Sequence, residues 1–321
     1  MFGVQTLPPV FSIVIPSYNR RDLVLALLRD VYAQEAAEFE VIVVDDRSPD
    51  DSVAAIEREF PQVRILVNET NLGPAVARNR GVLAAKGKFI VGFDSDVTIP
   101  DRLLLKKIAD AFQAEPSVAC LALRILKPDG HSDDVERWCH PLPLTFANRT
   151  FLTSYFSGTA YAVRKKAAIS AGLYPEIFYM HHEEVELAFR LLDQGDSIRH
   201  TPDLCVLHHA SPISARSYVE TFYHPRNQIL LVLLSYPLHR GIIHLLPRTL
   251  YQCGTAIRRG HFRTYLSALR DAARLAIPVF KIRNPLKPTT FREVKRLKVT
   301  PICLRADAAD SKLSLTFPSG L

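Results

Sequence analysis

Asp94-Ser95-Asp96 follows directly on the apolar run Lys88-Phe89-Ile90-Val91-Gly92-Phe93, so two carboxylates stand at the carboxyl end of what reads as a buried strand. Open α/β sheets place their chemistry at that end of their strands. Carboxylates two residues apart there can converge on one hard divalent cation, which takes oxygen ligands alongside the phosphates of a nucleotide. Asp-x-Asp also arises in ordinary turns, so the triplet gains meaning only from its surroundings.

Two other strand exits carry polar side chains. Pro16-Ser17-Tyr18-Asn19 closes Phe11-Ser12-Ile13-Val14-Ile15, offering a Tyr18 ring on which a base can stack and an Asn19 placed to cap the next helix. Asp45 and Asp46 come straight off the apolar Glu40–Val44 run, where a carboxylate is costly unless paired or bound to a ligand. One of them is suited to accept the imide hydrogen of uracil or thymine. Asp50 and Asp51 read as helix N-terminal caps.

The elements that position these groups alternate. Strand signals at Phe11–Ile15, Glu40–Val44, Gln62–Val67 and Lys88–Phe93 are separated by helical spacing at Arg21–Gln34 and Pro74–Lys86, which predicts right-handed crossovers and a parallel sheet. Neither Gly-x-Gly-x-x-Gly nor Gly-x-x-x-x-Gly-Lys-[Ser/Thr] occurs, so any phosphates must be neutralised another way. Hydrophobic residues at 48% and charged residues at 23% of 321 exclude disordered and fibrous classes. Five separated cysteines, Cys120, Cys139, Cys205, Cys253 and Cys303, without a Cys-x-x-Cys pair, point to a reducing cytosol and no zinc site. Met1–Pro9 carries no secretory signal, and the apolar stretch Gln228–Leu238 is too short to span a bilayer.

Charge divides the chain. From Ser211 onward there are 18 Lys+Arg against 5 Asp+Glu, a net of +13, whereas residues 1 to 210 carry −6. Basic and apolar residues alternate in Leu245–Tyr251 and Phe262–Arg270, a pattern of helices lying on a surface, anionic lipid among the candidates. Nucleic acid is not expected, since no recognisable motif and no aromatic face accompany the charge.

Taken together, Phe11–Arg20, Val41–Ser52, Asn71–Gly81 and Phe93–Asp96 resemble the successive signature segments of family 2 glycosyltransferases, across the first third of the chain. Gly158–Arg164 is similar to the family's acceptor-side strand and Glu183–Arg190 to its acidic helix start, with Glu-Glu where Glu-Asp is usual. His208-His209 and Tyr223–Asn227 resemble segments of the rhamnosyltransferase-like subgroup of cell-surface polysaccharide assembly. The resemblance implies a GT-A fold: an α/β, Rossmann-like, mostly parallel nucleotide-binding sheet flanked by helices, here with a helical, basic C-terminal extension. It divides the chain into a nucleotide-sugar half (1–120), an acceptor half (121–210) and the basic region (211–321).

On these positions the resemblance implies that Pro16, Tyr18 and Asp46 frame the base and Arg78 approaches the diphosphate or ribose. Asp94 and Asp96 would form the Asp-x-Asp pair, with Asp94 also meeting the nucleotide, and His208 would complete the coordination of Mn²⁺ or Mg²⁺ in preference to His209. In an inverting transfer a carboxylate takes the acceptor proton; Glu184 is the expected base, with Glu183 behind it and His181 and His182 adjusting the local acidity. The donor expected is a UDP-, dTDP- or GDP-sugar, and the acceptor a glycan or lipid-linked glycan at the inner face of a membrane, met by a cytoplasmic protein bound peripherally. Other classes are a nucleotidyltransferase, which should show a glycine-rich phosphate loop, and a non-catalytic carbohydrate-binding relative, which should have lost an acid. Lys127–Thr153, rich in Asp, His and a lone Trp138, lacks periodicity and reads as a loop over the site.

Overall fold

The computed structural model describes residues 10–35, 38–209 and 213–299; Cys303 and the rest of the carboxyl end lie outside them. The amino half alternates β1 (Phe11–Ser17), α1 (Arg21–Tyr32), β2 (Phe39–Asp45), α2 (Ser52–Glu59), β3 (Arg64–Val67), α3 (Pro74–Ala84) and β4 (Phe89–Phe93). β1 pairs in parallel with both β2 and β4, and β2 with β3. The apolar sequences of β1, β2 and β4 follow from burial on both faces, since helices cover each side of a parallel sheet, whereas β3 at the edge is partly exposed.

The chain continues through β5 (Val97–Thr98), α4 (Leu104–Ala114), β6 (Val118–Leu126), β7 (Phe151–Thr153), β8 (Ala160–Arg164), α5 (Lys165–Ser170), α6 (Glu183–Asp193) and β9 (Ser197–His208). Strand order is β3-β2-β1-β4-β8-β6-β9-β5, with β7 on β9. Beyond β4 the sheet is mixed: β8 runs antiparallel to β4 and β6, and β6 parallel to β9. Two pairings set the chemistry. β8 beside β4 lets Asp94 donate its N–H to the Thr159 carbonyl at 3.0 Å, and the β5–β9 register places His208 opposite Val97. One core lies between the sheet and α1, α2 and α4, and another under α3, α5 and α6.

Helices α7 (Ile213–Ser235), α8 (Leu238–Arg258), α9 (Phe262–Lys281) and α10 (Pro288–Val299) complete the described chain. A third core crosses residue 210: Phe178 and Phe189 pack with Leu230, Leu231, Val279 and Val294, so the basic region is welded to α6. Among the described residues no helix is long and apolar enough to cross a membrane.

Local capping differs from expectation. Asn19 sits at φ 54° with its N–H on Ser48 Oγ, and Arg20 takes the cap position without capping the helix through its side chain. Asp50 Oδ2 instead accepts the Arg21 N–H of α1 at 3.3 Å, while its Oδ1 holds the Ser52 N–H of α2 at 3.1 Å. One carboxylate therefore serves the starts of two helices.

Candidate active site

Arg78, on α3 and 4% exposed, stands at the centre. It donates through one nitrogen to Asp94 Oδ1 at 2.8 Å and through the other to Glu183 Oε1 at 3.1 Å, with Glu184 Oε1 3.7 Å away. Burial works against its charge, but Asp94, Glu184, Tyr174 and Glu183 outweigh it and hold the guanidinium well above its usual range. Glu184 also accepts the Gly158 N–H at 3.2 Å. A β-carbon at 158 would displace the ends of the Glu184 and Arg78 side chains together, so glycine there leaves room for this carboxylate and guanidinium to approach.

The two glutamates are not equivalent. Glu183 is 2% exposed, and burial, then the neighbouring Glu184, pushes its carboxyl well above the normal range. A carboxyl so placed favours its neutral form. Glu184 has a side chain 13% exposed and is the more accessible of the two.

Asp96 and His208 meet on the other side of the triplet. His208 is buried and donates through Nδ1 to Asp134 Oδ2 at 2.7 Å, which directs Nε2 to the opposite side of the ring. That Nε2 lies 3.7 Å from Asp96 Oδ1, and neither atom has a hydrogen-bond partner. An imidazole oriented by a carboxylate and turned toward an unpaired carboxylate oxygen is a donor set suited to a divalent cation. Asp96 Oδ2 is taken by Arg20 at 2.6 Å. His209 faces away to Thr98 Oγ1 at 2.8 Å. The structure thus brings Asp96 and His208 together, whereas Asp94 turns one oxygen to Arg78. Burial acts to raise the Asp94 carboxyl, but Arg78, Arg137 and His208 outweigh it and hold it below its usual range. Among the described residues no three such side chains close on one point, so further ligands would have to come from substrate or water.

Asp46, expected to contact the base, is held by donors of the chain itself. Its Oδ1 accepts from Asn68 Nδ2 at 2.7 Å and Leu72 N at 2.8 Å, and its Oδ2 from Gly73 N at 2.7 Å. The cost of burying it is met by the chain's own donors. The loop it holds continues to Tyr179, whose hydroxyl donates to Asn71 Oδ1 at 2.6 Å and whose ring fills the space a side chain at Gly73, φ 86°, would need. Tyr18 remains half exposed at the end of β1 beside the partly buried Pro16.

Sequence reasoning missed four contributors. Asp134 and Arg137 lie in the irregular 127–153 segment, which is held in place by the Arg124–Asp133 ion pair at 2.7 Å and by Trp138 Nε1 donating to the Leu142 carbonyl at 2.7 Å. Arg137 faces Asp94 and Asp96, whose charges raise its guanidinium despite burial. Arg20 lies at the end of the first segment. Asn227, fully buried on α7, donates to the carbonyls of Phe178, Met180 and His181 at 2.8, 2.6 and 2.8 Å. Those carbonyls belong to the turn before Glu183, in which Tyr179, His181 and His182 all have positive φ. Such backbone persists only where its surroundings fix it. His181 and His182 are held neutral, His182 at about 3, by burial first and by His224.

A family model described as glycosyl transferase family 2 matches residues 12–172. The succinoglycan biosynthesis protein ExoO of Rhizobium meliloti is 39% identical over 126 residues, covering 39% of this chain and 36% of that protein. A GalNAc(5)-diNAcBac-PP-undecaprenol beta-1,3-glucosyltransferase of Campylobacter jejuni is 25% identical over 178 residues, covering 53% of this chain and 56% of that protein. The chain therefore spans about a third to a half of the length of these relatives. Among solved structures, the mannosyltransferase PcManGT of Pyrobaculum calidifontis, in complex with GDP-Man and Mn2+, superposes with a TM-score of 0.55 at 19% identity, covering 91% of this chain and 85% of that one. That likeness shows the GT-A fold. With half the chain matched by the family model and its signature segments at the strand exits described, the chain belongs to glycosyl transferase family 2.

Proposed function

We propose that the protein is an inverting glycosyltransferase that moves a sugar from a nucleotide-diphosphate donor to a glycan or lipid-linked glycan of the cell surface, with Mn²⁺ or Mg²⁺. The observation that carries this reading is the facing, unpartnered pair Asp96 Oδ1 and His208 Nε2, 3.7 Å apart. Asp96 and His208 would hold the cation, which when bound offsets charge developing on the diphosphate. Arg137, facing Asp94 and Asp96, adds fixed positive charge on the leaving-group side. Glu184 takes the proton of the acceptor hydroxyl. Arg78 ties its position to Asp94, and Glu183, neutral beneath, spares the site a second negative charge.

On the nucleotide side, Pro16 and Tyr18 offer a surface for the base of a UDP, dTDP or GDP donor, and Asp46 shapes the 68–73 loop that borders it. Support for a glycan acceptor comes from the names of the relatives. Peripheral attachment to an anionic membrane is supported by α8, on which exposed Ile243, Leu246, Leu250 and Ile257 form one stripe flanked by Arg240 and Arg258. The test is transfer and hydrolysis across a panel of nucleotide sugars with Mn²⁺, Mg²⁺ or chelator. Activity confined to the metal-containing arms and lost in Asp96→Ala is expected; full activity of that variant refutes the cation assignment.

A further inference from the structure

A cavity of about 550 Å³ opens between the start of α6 and helices α7, α8 and α10. His182 and Val185, which bracket Glu183 and Glu184 in the chain, form part of its wall, so it begins beside the proposed base. Its volume is that of a small-ligand site.

The charges in it do not balance. Arg248, Arg259 and Lys298 line it against one carboxylate, Glu220, which lies 3.5 Å from Arg259. Arg248 reaches only His244 Nδ1, at 3.1 Å, and among the described residues no carboxylate stands within ion-pair distance of Arg248 or Lys298. Burial first, and then neighbouring cations or imidazoles, hold the lining His182 at about 3 and His244 at about 4, and burial lowers His224 as well. Two positive groups thus face the opening without an anion. Within the cavity the amide oxygens of Gln228 and Gln252 are buried without a hydrogen-bond partner, a costly arrangement unless a donor arrives. Tyr236, Tyr251 and Tyr265 supply ring surface around them.

We infer that this cavity binds a phosphorylated sugar, with the phosphoryl group between Arg248 and Lys298 and the sugar hydroxyls donating to Gln228 and Gln252. Calling this ligand the phosphate-bearing end of the acceptor rests on the glycosyl-transfer reading above; the binding chemistry does not. Phosphate oxygens supply the anion that the cation pair lacks, and hydroxyls supply the donors that the two amide oxygens lack. The phosphoryl group can belong to a lipid headgroup or to a soluble sugar phosphate. α8 bears on both sources, since Arg248, Gln252 and Arg259 face the cavity while the exposed apolar stripe runs along the opposite side of the same helix.

The test uses the full chain in chelator, so that no cation holds a diphosphate at Asp96. Inorganic pyrophosphate and glucose 1-phosphate are titrated by calorimetry into wild type, the R248Q/K298Q double variant and Gln252→Leu. Both probes are expected to bind wild type at one site and at least tenfold more weakly to the double variant, whose replaced side chains are exposed and leave the core intact. Gln252→Leu is expected to weaken glucose 1-phosphate several-fold and leave pyrophosphate unchanged. Absence of binding to wild type, or equal affinity for the double variant, overturns the inference. Sedimentation with phosphatidylcholine vesicles containing farnesyl phosphate separates the sources: recruitment lost in the double variant assigns a lipid headgroup, and binding of glucose 1-phosphate alone assigns a soluble ligand. Nucleotide-sugar titration with Mn²⁺ is a separate arm, expected to be equal in both proteins. If wild type binds no nucleotide sugar, the donor reading fails while the cavity result stands.

Discussion

Asp96 Oδ1 and His208 Nε2 face one another at 3.7 Å, each buried and each without a hydrogen bond, and Asp134 decides which imidazole nitrogen is left open. Removing an orienting carboxylate of this kind costs roughly 10–100-fold in metal affinity. Asp134→Ala should therefore need about that much more Mn²⁺ for half-maximal activity while retaining its fold. An unchanged Mn²⁺ titration would show that the pair is no cation site.

The glutamates should separate on substitution. Glu184→Gln is expected to lower kcat by about 10²–10⁴-fold, the usual worth of a general base, with nucleotide-sugar binding intact. Glu183→Gln replaces a carboxyl that burial already keeps neutral, and should lose far less. Equal losses in kcat would remove the distinction between them.

Asn227 holds three carbonyls of the turn that carries the base. Asn227→Ala should cost about 1–3 kcal/mol through buried carbonyls left without a donor. It should also lower kcat by about tenfold or more as Glu184 drifts, with donor affinity preserved. Chemical denaturation and steady-state kinetics measure both; a variant that is destabilised but keeps wild-type kcat contradicts the positioning role.

Acid should destabilise the protein through its buried imidazoles, and His200 is one whose share can be isolated. His200 is fully buried among Trp138, His140 and Phe151, donates through Nε2 to the Ala147 carbonyl at 3.1 Å, and is held at about 4, chiefly by burial. Its folded value lies below the ordinary 6.5, so the unfolded chain takes up the proton first. The stability it contributes is present above about pH 6.5 and is lost as pH falls toward 4. Between pH 7 and 5 the loss is about 2 kcal/mol. His200→Phe should reduce the slope of stability against pH in thermal unfolding across this range by that amount; an unaltered slope would exclude His200 as a contributor.

Membrane attachment has its own readout. Replacing exposed Leu246 and Leu250 by Glu sets charge in the stripe of α8 without touching the core. Sedimentation with anionic vesicles at low salt should fall at least tenfold. Equal sedimentation of variant and wild type would leave α8 without this role.

The parallel half of the sheet was legible because strands buried on both faces must be apolar, and each run ended at a polar residue that marked its exit. The site was legible as a set of carboxylates. What they bind was less so: a buried aspartate demands a donor, but Asp46 finds it in the N–H groups of Leu72 and Gly73, and a residue string does not distinguish backbone from ligand. Asp134 was hidden in a segment without periodicity, 74 residues from the histidine it orients. Asn19 looked like a cap by type alone, and the capping fell to Asp50 from another strand exit.

The Asn227 clamp bears on how the protein can be cut. A charge map invites scission after His209, to free a catalytic module from a basic appendage. Such a fragment would keep the residues proposed to hold the nucleotide and the cation and to take the acceptor proton, yet it would lose the amide that fixes the turn before Glu183 and the helices that bury Phe178 and Phe189. Domain swaps between relatives should carry α7 with the catalytic half, together with α9 and α10, which complete the same core.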